Sequence, residues 1–261
     1  MPIKDSYQII NQNYNSNLLI LCDHATNRIP KTVSERGLGL DDSDLKRHIA
    51  YDLGAKKTAG LISKNLNATM ICTNFSRLVI DPNRSEKDPT LIMQLYDGII
   101  ISENINLSQK QIEFRKEKFY KPYHSAIQKF IRNHKKLSDL LYIVSIHSFN
   151  PTIKSGGKRP WHVGVLWDKD TRLSGLIIEH LSKDSNICIG RNQPYSGTLP
   201  GDTLSKHAEK KNIPNVLIEI RNDLILNKTT QIQWARKLST ILRTCVERLI
   251  LEERYHDGIK N

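Results

Sequence analysis

Short runs that are apolar at every position alternate along this chain with longer stretches in which apolar residues recur every three or four positions. Leu18 to Cys22 (LLILC), Ala68 to Thr73 (ATMICT), Leu140 to Ile146 (LLYIVSI), Val163 to Trp167 (VGVLW) and Val216 to Ile220 (VLIEI) have the length of strands. Most are apolar continuously rather than alternately, the pattern of strands covered on both faces. Between them, Asp44 to Asn65 places Leu45, Ile49, Leu53, Ala59 and Ile62 at helical spacing. Its acidic start, Asp41, Asp42 and Asp44, suits the positive end of a helix dipole. Gln109 to Leu137 predicts a second long helix, broken or kinked near Pro122, which has no N–H to donate. Arg172 to Lys183, Asp202 to Lys211 and Gln231 to Glu253 predict three more. This strand-then-helix alternation predicts a three-layer α/β sandwich around a mostly parallel sheet.

No stretch reads as a linker, so one domain spanning residues 1–261 is expected. The segments richest in Pro, Gly, Asn, Ser and charge are Asp81 to Thr90 and Asn150 to Pro160. Each follows an apolar run and is expected at a strand end, where open α/β sheets form their ligand sites.

Composition narrows the class. Hydrophobic residues make up 38% and charged residues 25%, which excludes a disordered chain. With 13 glycines and 4 cysteines it is neither collagenous nor built on disulfides. No apolar stretch approaches the ~18–20 residues that cross a bilayer. Met1 to Tyr14 is polar and lacks the apolar core of a secretory signal, so a cytoplasmic location is expected. Cys22, Cys72 and Cys188 lie in apolar runs and, like Cys245, stand apart from any C-x-x-C pair; buried, inert thiols are expected. The formal net charge of +12 raises nucleic-acid binding as a reading. Against it, the lysines are scattered as Lys56-Lys57, Lys116-Lys118, Lys135-Lys136 and Lys210-Lys211, and no nucleic-acid-binding motif is present.

The polar residues of interest follow the predicted strands. Asp23-His24-Ala25-Thr26-Asn27 follows the first, His147-Ser148 follows the central run, and Glu219 lies inside the last, ahead of Arg221. Two histidines at strand ends with a glutamate on a third strand match what metal-assisted hydrolysis needs: imidazoles for the ion and a carboxylate for the proton of water. Other readings stay open here. A histidine after a strand also serves as an ordinary turn residue, and a glutamate in an apolar strand also occurs as half of an ion pair, with Arg221 or Arg77 as partner. Ser76-Arg77 and Asn83-Arg84 bracket an apolar run and offer guanidinium forks to a carboxylate, or a plain basic surface. Arg159 to Trp167 pairs a basic turn with a strand, and Asn192 to Gly197, with Tyr195 and Ser196, is a turn-forming loop; both are placed to rim a pocket, with a plain loop the simpler reading of each.

Seven segments in fixed order, DHATNRIP, HIAYDLGA, SRLVIDPNR, HSFNP, RPWHVGVLWD, NQPYSG and IEIRNDL, resemble the N-formylglutamate amidohydrolase family from Asp23 to about Leu224. That family is similar to the zinc carboxypeptidases and to the aspartoacylase and succinylglutamate desuccinylase group. The resemblance implies a phosphorylase/hydrolase-like α/β/α sandwich with a mixed, mostly parallel sheet. It implies one zinc ion and hydrolysis of the N-acyl amide of an acidic amino acid, N-formyl-L-glutamate being the type substrate. It implies His24 and His147 as zinc ligands, with Asn27 at the place of a ligating glutamate. Since an amide oxygen brings no charge to the metal, Asp52 and Asp23 are alternative ligands. Glu219 resembles the glutamate that activates water and protonates the leaving amine, and Arg77 the arginine that polarises the scissile carbonyl. Asn83 and Arg84 resemble the pair that holds the substrate carboxylate; Arg159, Arg221, Tyr195 and Ser196 are further substrate-binding expectations. The expected partner is a small anionic N-acyl amino acid, with no membrane or specific nucleic acid. The departure at Asn27 also leaves open a member that kept the fold and lost or changed its metal or substrate.

Overall fold

The structure is a computed structural model that describes residues 6–152 and 156–259. In chain order the elements are β1 (Tyr7–Ile10), β2 (Leu18–Cys22), α1 (Asp42–Leu45), α2 (Ala55–Asn65), β3 (Thr69–Thr73), β4 (Leu95–Tyr96), β5 (Ile99–Ile100) and α3 (Gln109–Arg115). They continue as α4 (Lys121–His134), β6 (Tyr142–Phe149), β7 (Val163–Leu166), α5 (Arg172–Leu181), β8 (Ile189–Arg191), α6 (Thr203–His207), β9 (Asn215–Arg221) and α7 (Lys228–Ile259). Among the described residues, seven strands make one sheet in the order β1-β3-β2-β6-β9-β7-β8. The β3-β2-β6-β9 block is parallel, β7 runs antiparallel to β9 and parallel to β8, and β1 is antiparallel to β3.

The continuously apolar runs are buried on both faces, and the period of 2 sorts each strand between two cores. Ile20, Val144, Ile146, Val216 and Ile218 pack with α2, α5 and α7 through Ala59, Ile177 and Leu242. Leu19, Leu21, Ile143 and Leu217 pack with α4 and α6 through Ile127, Phe130 and Leu204. This is the expected α/β/α arrangement. No helix among the described residues is long and apolar enough to cross a membrane.

Several boundaries differ from the pattern. The predicted helix over 44–65 is two: α1 is a single turn, and residues 46–54 are irregular until α2 starts at Ala55. Gly54 ends the irregular segment, with a φ of 79°, and a Cβ there would lie 2.2 Å from the Ile225 carbonyl oxygen. The helix over 109–137 is divided into α3 and α4 by a wide turn at Lys116–Tyr120, with Pro122 in the first turn of α4, where a missing N–H is harmless. β1 lies within the stretch noted only as polar, and β8 is too short to stand out. The apolar run before Asp81 is buried coil, not a strand, and the Asn150–Pro160 loop includes residues 153–155, outside the described residues. Cys22, Cys72 and Cys245 are buried as expected, whereas Cys188 is exposed.

Candidate metal and catalytic site

Register places the site. Within the parallel β6-β9 pair, His147 stands opposite Glu219, so the two side chains share a sheet face near the carboxyl ends of the strands. His24 follows β2, next to β6 in the sheet. Asp52 comes from the irregular segment before α2, where its N–H donates to the His24 carbonyl oxygen at 2.9 Å. The result is a buried cluster of His24, Asp52 and His147 whose ligand atoms lie within 4.8 Å of one another.

Hydrogen bonds orient the imidazoles. His24 Nε2 is 2.8 Å from Asp81 Oδ1, and its Nδ1 has no hydrogen-bond partner and stands 3.4 Å from Asp52 Oδ2. His147 Nε2 is 3.1 Å from Asp23 Oδ2, and its Nδ1 is 2.8 Å from Asp52 Oδ2. Each ring therefore has a carboxylate behind it, and both Nδ1 atoms converge on Asp52, whose Oδ1 is buried without a hydrogen bond. A carboxylate behind each histidine is the usual support of a metal site, fixing the tautomer and the ring plane. Two imidazole nitrogens and one carboxylate, with buried unpartnered donor atoms, fit a zinc-type ion with one position open.

Electrostatics follow from burial and pairing. Burial alone would raise the Asp52 carboxyl, but His24 and His147 outweigh it and hold Asp52 well below the usual carboxylate range. Burial also opposes ionisation of Asp81, and His24 and Arg77 reverse that. His147 is pushed above its ordinary value, because its bonds to Asp23 and Asp52 exceed the cost of burying its charge. Glu219 is the contrast: burial pushes it up to about 7, and its Oε2 has no hydrogen-bond partner.

His24, Asp52, His147 and Glu219 border a cavity of about 310 Å³. Arg77, Asn83, Arg84, Tyr195 and Ser196 also line it, as do His48, Tyr96 and Asp202. Arg77 Nη2 donates to Asp81 at 2.9 Å, its Nη1 lies 3.7 Å from Asp52 Oδ1, and its Nε is unpartnered. The turn carrying Asn83 and Arg84 is fixed from two helices: Thr203 N donates to Asn83 Oδ1 at 3.0 Å, and Tyr120 Oη and Lys206 Nζ donate to the Arg84 carbonyl at 2.7 and 2.8 Å.

The profile of the N-formylglutamate amidohydrolase family matches residues 16–226. The chain belongs to the N-formylglutamate amidohydrolase family. As a family member it is an enzyme that hydrolyses amides. It is similar to the gene product Atu2144 from Agrobacterium tumefaciens, at 30% identity and a TM-score of 0.88, over 94% of this chain and 96% of that one. The N-formylglutamate amidohydrolase from Ralstonia eutropha JMP134 shares its fold, with a TM-score of 0.69 and 18% identity over 94% and 99% of the two chains. Among curated proteins none matches.

Of the family positions expected from the sequence, His24, His147, Glu219, Arg77, Asn83, Arg84, Tyr195 and Ser196 meet at this cavity. Asn27 does not join the cluster: its amide donates to the Leu45 carbonyl at 2.8 Å, a bond that ties down the end of α1. Of the two alternative carboxylates, Asp52 faces both Nδ1 atoms, while Asp23 lies behind His147, where it also accepts from Tyr123 at 2.9 Å, Thr203 at 2.7 Å and Ser145 at 2.9 Å. Arg221 is turned away, with Nε 2.8 Å from Asp223 and Nη1 on the carbonyls of Arg159 and Trp161. Arg159 is not in the cavity wall but donates to the Tyr195 hydroxyl at 3.2 Å.

Sequence reasoning missed His48, Tyr96 and Asp202. Tyr96 sits on the β4-β5 hairpin, and the Arg77 guanidinium is 5.4 Å from the centre of its ring. The Asp97-Gly98 pair that turns this hairpin, both at positive φ, is a readable signal. His48 opens the HIAYDLGA segment and Asp202 caps the start of α6, but only the tertiary fold puts them in the wall.

Proposed function

We propose that this enzyme is a zinc amidohydrolase that cleaves the N-acyl amide of an acidic amino acid, with N-formyl-L-glutamate as the reference substrate. The observation that carries the reading is the buried His24–Asp52–His147 cluster, backed by Asp81 and Asp23 and open to a cavity that also presents Glu219, Arg77 and Arg84. Those three side chains would hold the zinc, which would supply Lewis acidity toward an acyl oxygen and lower the pKa of water to ~7.

The chain's own residues supply the remaining steps. Glu219, held near a pKa of about 7 by burial, accepts a proton on its carboxylate from the attacking water and returns it to the amine nitrogen as the C–N bond breaks. Its pKa suits both halves of that transfer near neutral pH. Arg77 stays cationic, and its guanidinium at the cavity wall stabilises the acyl oxygen as negative charge builds there. Arg84 and Asn83 grip a substrate carboxylate and fix the amide against the cluster. Tyr195 and Ser196 supply a further part of the cavity wall. Water adds across the amide, giving a carboxylic acid and the free amino acid.

The test is hydrolysis of N-formyl-L-glutamate by the purified chain, followed by amine release, with zinc and with chelator. Turnover that disappears with chelator and returns with zinc is expected. Metal-free protein that gains neither zinc nor turnover on incubation with the ion refutes the reading.

A further inference from the structure

Five of the seven buried side-chain atoms that lack a hydrogen-bond partner among the described residues belong to the walls of this one cavity: His24 Nδ1, His48 Nδ1, Asp52 Oδ1, Arg77 Nε and Glu219 Oε2. Buried polar atoms are normally paired, so their gathering in one place marks a site where bonds remain to be made. His24 Nδ1 belongs with His147 Nδ1 and Asp52 Oδ2 in the candidate metal cluster, and Glu219 and Arg77 have their parts in the reaction proposed above. His48 Nδ1 and Asp52 Oδ1 are left, a nitrogen and a carboxylate oxygen 3.7 Å apart.

The local backbone sets this pair. His48 and Asp52 lie four residues apart in the irregular segment before α2. Between them, the Ala50 carbonyl accepts from Ser76 Oγ at 2.7 Å, and Ile49 and Ala50 are buried against Leu38 and Leu78. Asp52 N in turn donates to the His24 carbonyl at 2.9 Å. With the chain held there, a side-chain shift of ~0.8 Å brings the pair to the ~2.9 Å of an N–H···O bond. Arg77 Nη1 is also 3.7 Å from Asp52 Oδ1, but that guanidinium is already bonded to Asp81 at 2.9 Å. His48 Nδ1, in a side chain only 7% exposed, has no such engagement. A neutral imidazole carries one N–H, and opposite a carboxylate oxygen that N–H belongs on Nδ1. Such a donor steadies the carboxylate without adding a positive charge beside a divalent cation.

We propose that His48 is a positioning residue for the metal centre: its Nδ1–H bonds Asp52 Oδ1 and holds Asp52 with Oδ2 turned to the two imidazole Nδ1 atoms. This rests on the zinc reading above. Carboxylates that ligate a metal are themselves held by hydrogen bonds of this kind.

The experiment measures zinc affinity of the full chain, by competition of the metal-free protein with a chromophoric chelator, for the parent, His48→Ala, His48→Asn and His48→Gln. His48→Ala should weaken zinc by about 10–100-fold. Asparagine carries its amide nitrogen as many bonds from the backbone as the imidazole Nδ1, so His48→Asn should stay within about threefold of the parent. Glutamine carries its amide one bond further out, and His48→Gln should lose about as much as His48→Ala. A part in packing alone would let Asn fail with the other two, since none of the three fills the space of the ring. In an Asp52→Asn background, His48→Ala should cost less than about twofold more, because the effect passes through Asp52. Zinc affinity of His48→Ala within about threefold of the parent overturns the proposal and leaves the zinc reading standing. Asn falling as far as Ala, Gln holding zinc where Asn does not, or the full loss persisting in the Asp52→Asn background also overturns it. A parent chain that binds no zinc takes both readings down together.

Discussion

Asp52→Asn keeps the size and shape of the side chain and removes its charge. The Asp52 carboxylate lies 2.8 Å from His147 Nδ1 and 3.4 Å from His24 Nδ1, Ser148 N donates to it at 3.3 Å, and Arg77 Nη1 is 3.7 Å away. At ~4 Å two unit charges interact by ~4 kcal/mol at an effective dielectric constant of ~20. Removing one partner of such a buried set costs ~3–5 kcal/mol. A divalent ion at this place loses a comparable interaction, and ~1.4 kcal/mol is a factor of ten in affinity, so zinc binding should weaken by about two to three orders of magnitude. The assay is competition of metal-free protein against a chromophoric zinc chelator near neutral pH, with urea unfolding of the metal-free forms to report folding separately. Asn27→Ala is the control. It removes the bond to Leu45 and should cost ~1 kcal/mol of stability while leaving zinc affinity unchanged. Zinc affinity of Asp52→Asn within about threefold of the parent, or an equal loss in Asn27→Ala, refutes the ligand set derived from the two Nδ1 atoms.

Glu219→Gln should retain zinc and lower kcat by ~10²–10⁴-fold, because the amide cannot accept the proton; zinc content and kcat measured on one sample check both halves. Gly164→Ala adds a Cβ 2.2 Å from the Gln193 carbonyl oxygen, so the loop bearing Tyr195 and Ser196 must retreat by ~1 Å, and kcat/KM should fall by up to ~10²-fold with zinc retained. Unchanged kinetics would mean the loop is not a working wall. His207→Gln addresses acid stability. Burial, then Lys211 and Lys206, push His207 down to about 3 in the folded chain, and Asp23 only partly opposes them. Below its unfolded pKa of ~6.5 this histidine binds a proton only when unfolded, so it removes up to ~1.4 kcal/mol of stability per pH unit as pH falls toward about 3. Urea unfolding between neutral and mildly acidic pH should show a shallower loss in the variant than in the parent; parallel curves would refute the assignment.

The sheet was legible because β2, β3, β6, β7 and β9 bury both faces, and a continuous apolar run survives any detail of packing. Helix boundaries were less so. Leu45, Ile49 and Leu53 keep helical spacing through a segment that is irregular, since Ile49 and Ala50 pack into a small cluster with Leu38, Leu78 and Met93 beneath the loops rather than onto the sheet. Periodicity reports that a residue is buried, not which core receives it. The same ambiguity left Asp52 as one of two alternative carboxylates, with nothing to choose it over Asp23. In an unbroken helix Asp52 would sit mid-helix; with the break before Gly54 it reaches the end of β2.

Charge shows the same limit from another side. The sequence offered four arginines, Arg77, Arg84, Arg159 and Arg221, as one cationic pocket, but the fold gives them unequal parts. Arg77 is matched by Asp81, Arg221 by Asp223, and Arg159 braces Tyr195. Arg84 donates to Thr90 and to the Asn83 carbonyl and has no carboxylate within ion-pair distance among the described residues. A guanidinium already paired with a buried carboxylate adds little net field, whereas an unmatched one at the cavity wall attracts an anion and orients it. In the proposed reaction, selectivity for a substrate carboxylate rests on the Asn83-Arg84 turn and on Tyr120, Thr203 and Lys206, which hold it, far more than on the overall excess of +12.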